Sequence, residues 1–185
     1  MYPPVVLIIA LAIVLVGPLQ AQSRDSLSLD ATLGPSIGSG GRGPYYSSDD
    51  VAGELTLTFR PHPDRDRSQI FALSLGRRTS MDFGDRCVLD VAAGAGCIPA
   101  FPAFSHVALL VGIEQQWGIA AVRALTGPGF YGGGGSSGMG AQLHLDGAVG
   151  FTHVAFVGAI RGSFVSRFNG ETLRARSVEF GIRIQ

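Results

Sequence analysis

His144 and Asp146 stand two residues apart in QLHLDG, a spacing that puts both side chains on one face of a strand. An imidazole beside a carboxylate is half of an acid–base or metal site, and the other half would have to come from another strand. The plainer alternative is a histidine satisfied within a polar network. His62 lies in the polar turn PHPDRDR, and His106 and His153 begin strands with no acidic companion in sequence. Cys87 and Cys97 enclose nine residues, VLDVAAGAG. In an exported protein this spacing predicts a local disulfide, contributing on the order of 2 to 3 kcal/mol. Zinc would need further ligands close by, so no metal is expected. The consecutive glycines 132–135 are followed by neither a helix start nor a lysine. They therefore form no phosphate cradle, and no cofactor is expected.

The elements that must carry these residues read as strands. Apolar side chains alternate with small or polar ones in eight segments, and no stretch keeps a 3.6-residue stripe. The segments are marked by Leu27–Leu33, Leu55–Phe59, Phe71–Leu75, Val107–Ile113, Trp117–Thr126, Leu143–Val149, Val154–Phe164 and Val178–Ile184. The fifth is apolar on both faces, and Arg123 decides its orientation. An arginine facing lipid at mid-depth costs roughly 2 to 4 kcal/mol, so Arg123 turns inward and Ala120, Val122 and Ala124 outward.

Composition narrows the function classes. Fourteen basic residues, all arginine, balance fourteen acidic ones, so no basic footprint for nucleic acid exists. Charged residues are only 15% of the chain, below the roughly 25% of ordinary soluble domains. Residues 5–16 read VVLIIALAIVLV, too short to cross a bilayer as a helix, which needs roughly 20 residues. With Gly17-Pro18 and Ala21 behind it, the run predicts a secretory signal peptide over 1–21, although no Lys or Arg precedes it. An uncleaved membrane anchor is the other reading. The mature domain is then 22–185.

Connection lengths run long, short, long, short: 35–50, 61–67, 77–105, 114–116, 127–140, 150–152 and 165–171. An even number of strands with long loops at one end and short turns at the other is the pattern of a transmembrane β-barrel. The chain resembles the small eight-stranded bacterial outer-membrane β-barrels, the group of the OmpA transmembrane domain, OmpX and OmpW-like proteins. The resemblance covers the whole of 22–185 and rests on pattern, without a diagnostic motif. It implies an all-β, eight-stranded antiparallel up-and-down barrel in the outer membrane, with outer-membrane lipid and the barrel-insertion machinery as partners. Such barrels usually end on an aromatic residue, whereas SVEFGIRIQ places Phe180 earlier and closes on Ile184-Gln185. Some barrels of this size are lipid A deacylases with a His-x-Ser-Asn run, which this sequence lacks. No catalysis is therefore expected.

In this arrangement the apolar set faces lipid and the alternate set faces a lumen just wide enough for side chains. The inward set includes Glu54, Arg123, His144, Asp146, Arg161, Glu179 and Arg183. Buried charges persist only when paired, so these predict a lumenal arginine–carboxylate network that closes the barrel. Aromatic girdles are expected from Tyr45, Tyr46, Phe101, Phe104, Phe130 and Tyr131 at the long-loop end. Phe59, Phe71, Trp117 and Phe151 would form the girdle at the other end. The segments 77–105 and 127–140 are expected to be loops, available to an extracellular ligand. Two rival classes remain: a soluble secreted barrel with an apolar interior for a small ligand, and a lipid-modifying hydrolase using His144.

Overall fold

The structure is a computed structural model that describes residues 26–40, 50–80, 88–90, 96–98, 103–133, 135–151, 153–168 and 171–185. Eight long strands form the wall: β1 (Leu27–Gly40), β2 (Asp50–Phe59), β3 (Arg67–Ser80), β6 (Phe104–Trp117), β7 (Ala120–Gly133), β8 (Ser136–Phe151), β9 (Val154–Phe168) and β10 (Glu171–Ile184). Two three-residue strands, β4 (Val88–Asp90) and β5 (Gly96–Ile98), pair only with each other. Each wall strand is antiparallel to its neighbour, and β1 pairs with β10 to close the barrel. Closure pairs the backbone of both terminal strands, which an open sheet would leave exposed at its edges.

Strict alternation decides which face each side chain takes. Phe156 is 77% and Phe180 65% exposed on the outer surface, whereas Arg123 and Arg183 are fully enclosed. This is the reverse of the distribution that a soluble ligand-carrying barrel requires. Val122 lies outward and Arg123 inward on β7, the orientation expected from the sequence. The wall curves tightly, and glycine permits this at inward positions where strands approach. A Cβ on Gly112 would lie 1.9 Å from the Ala124 carbonyl oxygen, and one on Gly181 would lie 1.8 Å from that of Ala31.

The strands run further than the alternation alone suggested. The segment 127–140 is not a loop: Gly127 pairs with Gln142, and the ladder continues to Gly133 opposite Ser136. Phe130 and Tyr131 keep the alternation through this glycine-rich stretch, outward and inward respectively. Pairing satisfies the backbone, and Gly135, at φ +78°, helps turn the chain. The 165–171 connection likewise shrinks to 169–170, with β9 reaching Phe168. The 77–105 segment gives Arg77–Ser80 to β3 and Phe104 and Ser105 to β6, and contains β4 and β5.

At the opposite end β2 joins β3 through 60–66, β6 joins β7 through 118–119, and β8 joins β9 through 152–153. Gly118, at φ +57°, makes the tightest of them possible. Backbone bonds from Arg60 N to Ser26 O (2.7 Å) and from Gln185 N to His153 O (3.1 Å) bring both ends of the described chain to this short-turn end.

Candidate functional site

The barrel interior is the site, and it is built in layers. Nearest the short turns, Asp30 on β1 accepts hydrogen bonds from Arg183 Nε at 2.7 Å and Nη2 at 2.9 Å, and from Arg123 Nη1 at 3.1 Å. Arg123 also donates to Glu114, to Ser28 Oγ at 2.9 Å and to Thr58 Oγ1 at 3.3 Å. Glu114 further receives Arg60, and Gln116 Nε2 at 2.7 Å. Four strands and the end of β2 thus contribute to one network, and each charge in it meets an opposite charge.

The middle layer centres on Arg161 of β9. Its Nε donates to Glu179 Oε2 at 3.2 Å, and its Nη1 lies 3.1 Å from Glu54 Oε1 and 3.6 Å from Asp146 Oδ1. Arg161 also donates to His144 Nδ1, while His144 Nε2 faces Gln142 Oε1 at 3.1 Å and Glu54 Oε1 at 3.4 Å. These partners assign the proton to Nε2 and leave the ring neutral, because Nδ1 must accept. Thr32 and Ser177 hydroxyls complete Glu179, at 2.6 and 2.5 Å.

Towards the long-connection end, Arg78 grips Asp50 Oδ2 with Nε at 2.9 Å and Nη2 at 2.5 Å, and caps the Ile37 carbonyl at 3.0 Å. An apolar plug of Phe104, Tyr131, Val165, Phe168, Leu173 and Ala175 lies beside this pair. The Phe104 and Tyr131 rings meet edge to face at 5.6 Å. A cavity of about 30 Å³ bordered by Ser36, Glu54, His106 and Arg161 opens below the plug, room for one or two waters.

All seven residues expected inward from the sequence are buried, and Glu54, His144, Asp146, Arg161 and Glu179 surround one another. Arg123 and Arg183 belong to the separate Asp30 layer. Sequence reasoning missed Asp30, Asp50, Arg60, Arg78 and Glu114 as members of the interior. Asp30 carried the signal, since it alternates with Leu29 and Ala31, while Glu114 had been assigned to a turn.

His106 has a companion that its sequence position did not reveal: Nε2 lies 3.5 Å from Glu54 Oε2 and 3.4 Å from Ser74 Oγ. This is not a relay triad, which needs the acid and the hydroxyl on different ring nitrogens. Phe104 and Tyr131 also depart from expectation, lying inside the barrel at 4% and 0% exposure instead of in an outer girdle. Phe130, Phe59, Phe71 and Trp117 do face outward. Tyr45, Tyr46, Phe101, the side chain of Phe151 and the Cys87–Cys97 disulfide fall outside the described residues and side chains. Among the described residues no cluster of His, Cys, Asp and Glu could hold a metal ion.

Comparison with known proteins supplies the fold's relatives. No protein family and no curated protein matches the sequence. The crystal structure of Neisserial surface protein A (NspA) superposes with a TM-score of 0.58 at 12% identity, covering 85% of this chain and 96% of that one. Ail, the attachment invasion locus protein of Yersinia pestis, gives 0.49 at 12% identity, over 86% and 99% of the two chains. Its complex with the heparin analogue sucrose octasulfate gives 0.43 at 12% identity. The architecture of this chain is that of the small eight-stranded outer-membrane barrels.

Proposed function

We propose that this chain is exported by residues 1–21 and crosses the outer membrane through 22–185 as a closed barrel filled with its own side chains. Its short turns and both termini lie on the periplasmic side. Its role is structural and surface-directed, with the opposite-end segments, 77–105 and the 127–140 hairpin among them, meeting an extracellular ligand. Outer-membrane lipid and the barrel-insertion machinery are its partners, the Cys87–Cys97 disulfide closes part of the long connection, and no catalytic step is assigned to it.

The observation that carries this reading is the inside-out distribution of polarity on a closed wall. Ion pairs fill the centre, and a predominantly apolar band contributed by all eight wall strands faces away from it. In water that surface would be an aggregation liability; in lipid it is the required one. Expression of the full chain in a Gram-negative host, followed by envelope fractionation and gels of unboiled and boiled samples, tests the proposal. The expected result is a detergent-extractable outer-membrane band whose mobility changes on boiling. A soluble periplasmic band without that change would overturn it. Planar-bilayer recordings should show no sustained conductance, because paired charges and the apolar plug occupy the lumen.

A further inference from the structure

The charges of the wall strands are sorted by face. Each carboxylate whose side chain is described on these strands (Asp30, Asp50, Glu54, Glu114, Asp146 and Glu179) is buried in the lumen. The charged side chains described on the outer face are all arginines: Arg67 at the short-turn end, and Arg77, Arg174 and Arg176 towards the other end. The last three occupy defined places. On β3 the outward series is Phe71, Leu73, Leu75 and then Arg77; on β10, read from the short-turn end, it is Ile182, Phe180, Val178, then Arg176 and Arg174. Each series therefore changes from lipid-facing to cationic at its next outward position. An outward arginine costs little only near the bilayer interface, so this change marks the edge of the apolar band.

We propose that Arg77, Arg174 and Arg176 bind the phosphate groups of an anionic lipid in the leaflet at the long-connection end of the barrel. No carboxylate is described on the outer face near them, and no ion pair satisfies them among the described residues. Arg174 is held in place by Phe164, its cross-strand partner, whose ring centroid lies 5.8 Å from the guanidinium carbon. The other two flank the β1–β2 hairpin: Arg176 pairs with Ile37 of β1, and Arg77 pairs with Gly53 of β2. Cations therefore stand on both sides of a narrow strip carrying the exposed apolar side chains Ile37 and Leu33. That combination fits a lipid with phosphate groups at its head and acyl chains below. Guanidinium groups suit this ligand because they grip phosphate with two parallel N–H donors.

This inference rests on the membrane reading, and one experiment separates the two. The full chain is folded in neutral detergent micelles, checked by its mobility change on boiling, and titrated by thermophoresis with micelle-dissolved diphosphoryl lipid A. Dephosphorylated lipid A and inorganic phosphate serve as comparison probes. Saturable binding of the diphosphoryl lipid is expected, weakened about tenfold or more in the triple variant Arg77→Gln/Arg174→Gln/Arg176→Gln and unchanged in Arg67→Gln. Equal affinity of the triple variant, or equal binding of the dephosphorylated lipid, would overturn the proposal. Matching affinity for inorganic phosphate would replace the lipid with a free anion and overturn it too. A chain that shows no heat-dependent mobility and stays soluble without detergent would remove the membrane reading itself, and this proposal with it.

Discussion

The two ends of the lumen are filled by opposite chemistry. Near the short turns the filling is ionic, with Asp30 gripped by Arg123 and Arg183 and Glu114 by Arg60 and Arg123. At the other end it is largely aromatic and aliphatic, with Phe104, Tyr131, Val165, Phe168 and Leu173 packed together and the Arg78–Asp50 pair beside them. The ionic end specifies geometry, because a buried charge is tolerated only with its partners in place. The apolar end fills space with fewer directional demands. The contrast teaches that a narrow barrel can be closed either way, and that the two ends should respond differently to the same kind of damage.

The largest effect is expected from Asp30→Ala, which leaves Arg123 and Arg183 buried without their shared carboxylate. Destabilisation by about 3–5 kcal/mol should follow, read from the urea midpoint of unfolding in lipid vesicles. Removing the Phe104 ring by Phe104→Ala should cost about 3 kcal/mol in the same assay. Because that ring belongs to the plug over the cavity, planar-bilayer recordings of this variant should show brief openings that Asp30→Ala lacks; matching traces would erase the contrast. Replacing the whole trio, as Asp30→Leu/Arg123→Met/Arg183→Met, should restore stability to within about 1 kcal/mol of the parent, since isosteric apolar packing often equals a buried ion network. A triple variant no more stable than Asp30→Ala would show that the ionic layer contributes more than mutual neutralisation. The smallest effect belongs to Ser28→Ala, which removes one acceptor from Arg123 and should cost about 1 kcal/mol.

Much of this organisation was legible because a strand has a period of two. The alternation grouped Glu54, His144, Asp146, Arg161 and Glu179 on the enclosed face, and in the segment that is apolar on both faces the cost of a lipid-facing arginine turned Arg123 inward and Val122 outward. Strand ends were less legible, for two reasons. Glycine and serine carry no face preference, so 127–140 read as a loop although its backbone pairs to the tip. Phe104 and Tyr131 read as girdle residues because aromatics near strand ends are common at membrane interfaces, whereas one step of alternation turns both into the lumen.

What the amino-acid order determined by itself was the facing of side chains, since covalent geometry alternates them along any extended strand. It also determined the number of wall strands, through the spacing of the turn-forming segments. What only the tertiary structure decided was partnership. Asp30 and Arg183 are separated by 153 positions, yet their side chains lie 2.7 Å apart. Closure of β1 on β10 brings Asp30 and Arg183 into register, and no local pattern encodes which residues a closing sheet will place opposite one another. For the same reason His106 acquired Glu54 and Ser74 as neighbours: the lateral order β2, β3, β6 puts Gly76 in register between Glu54 and His106, with Ser74 on the same β3 strand.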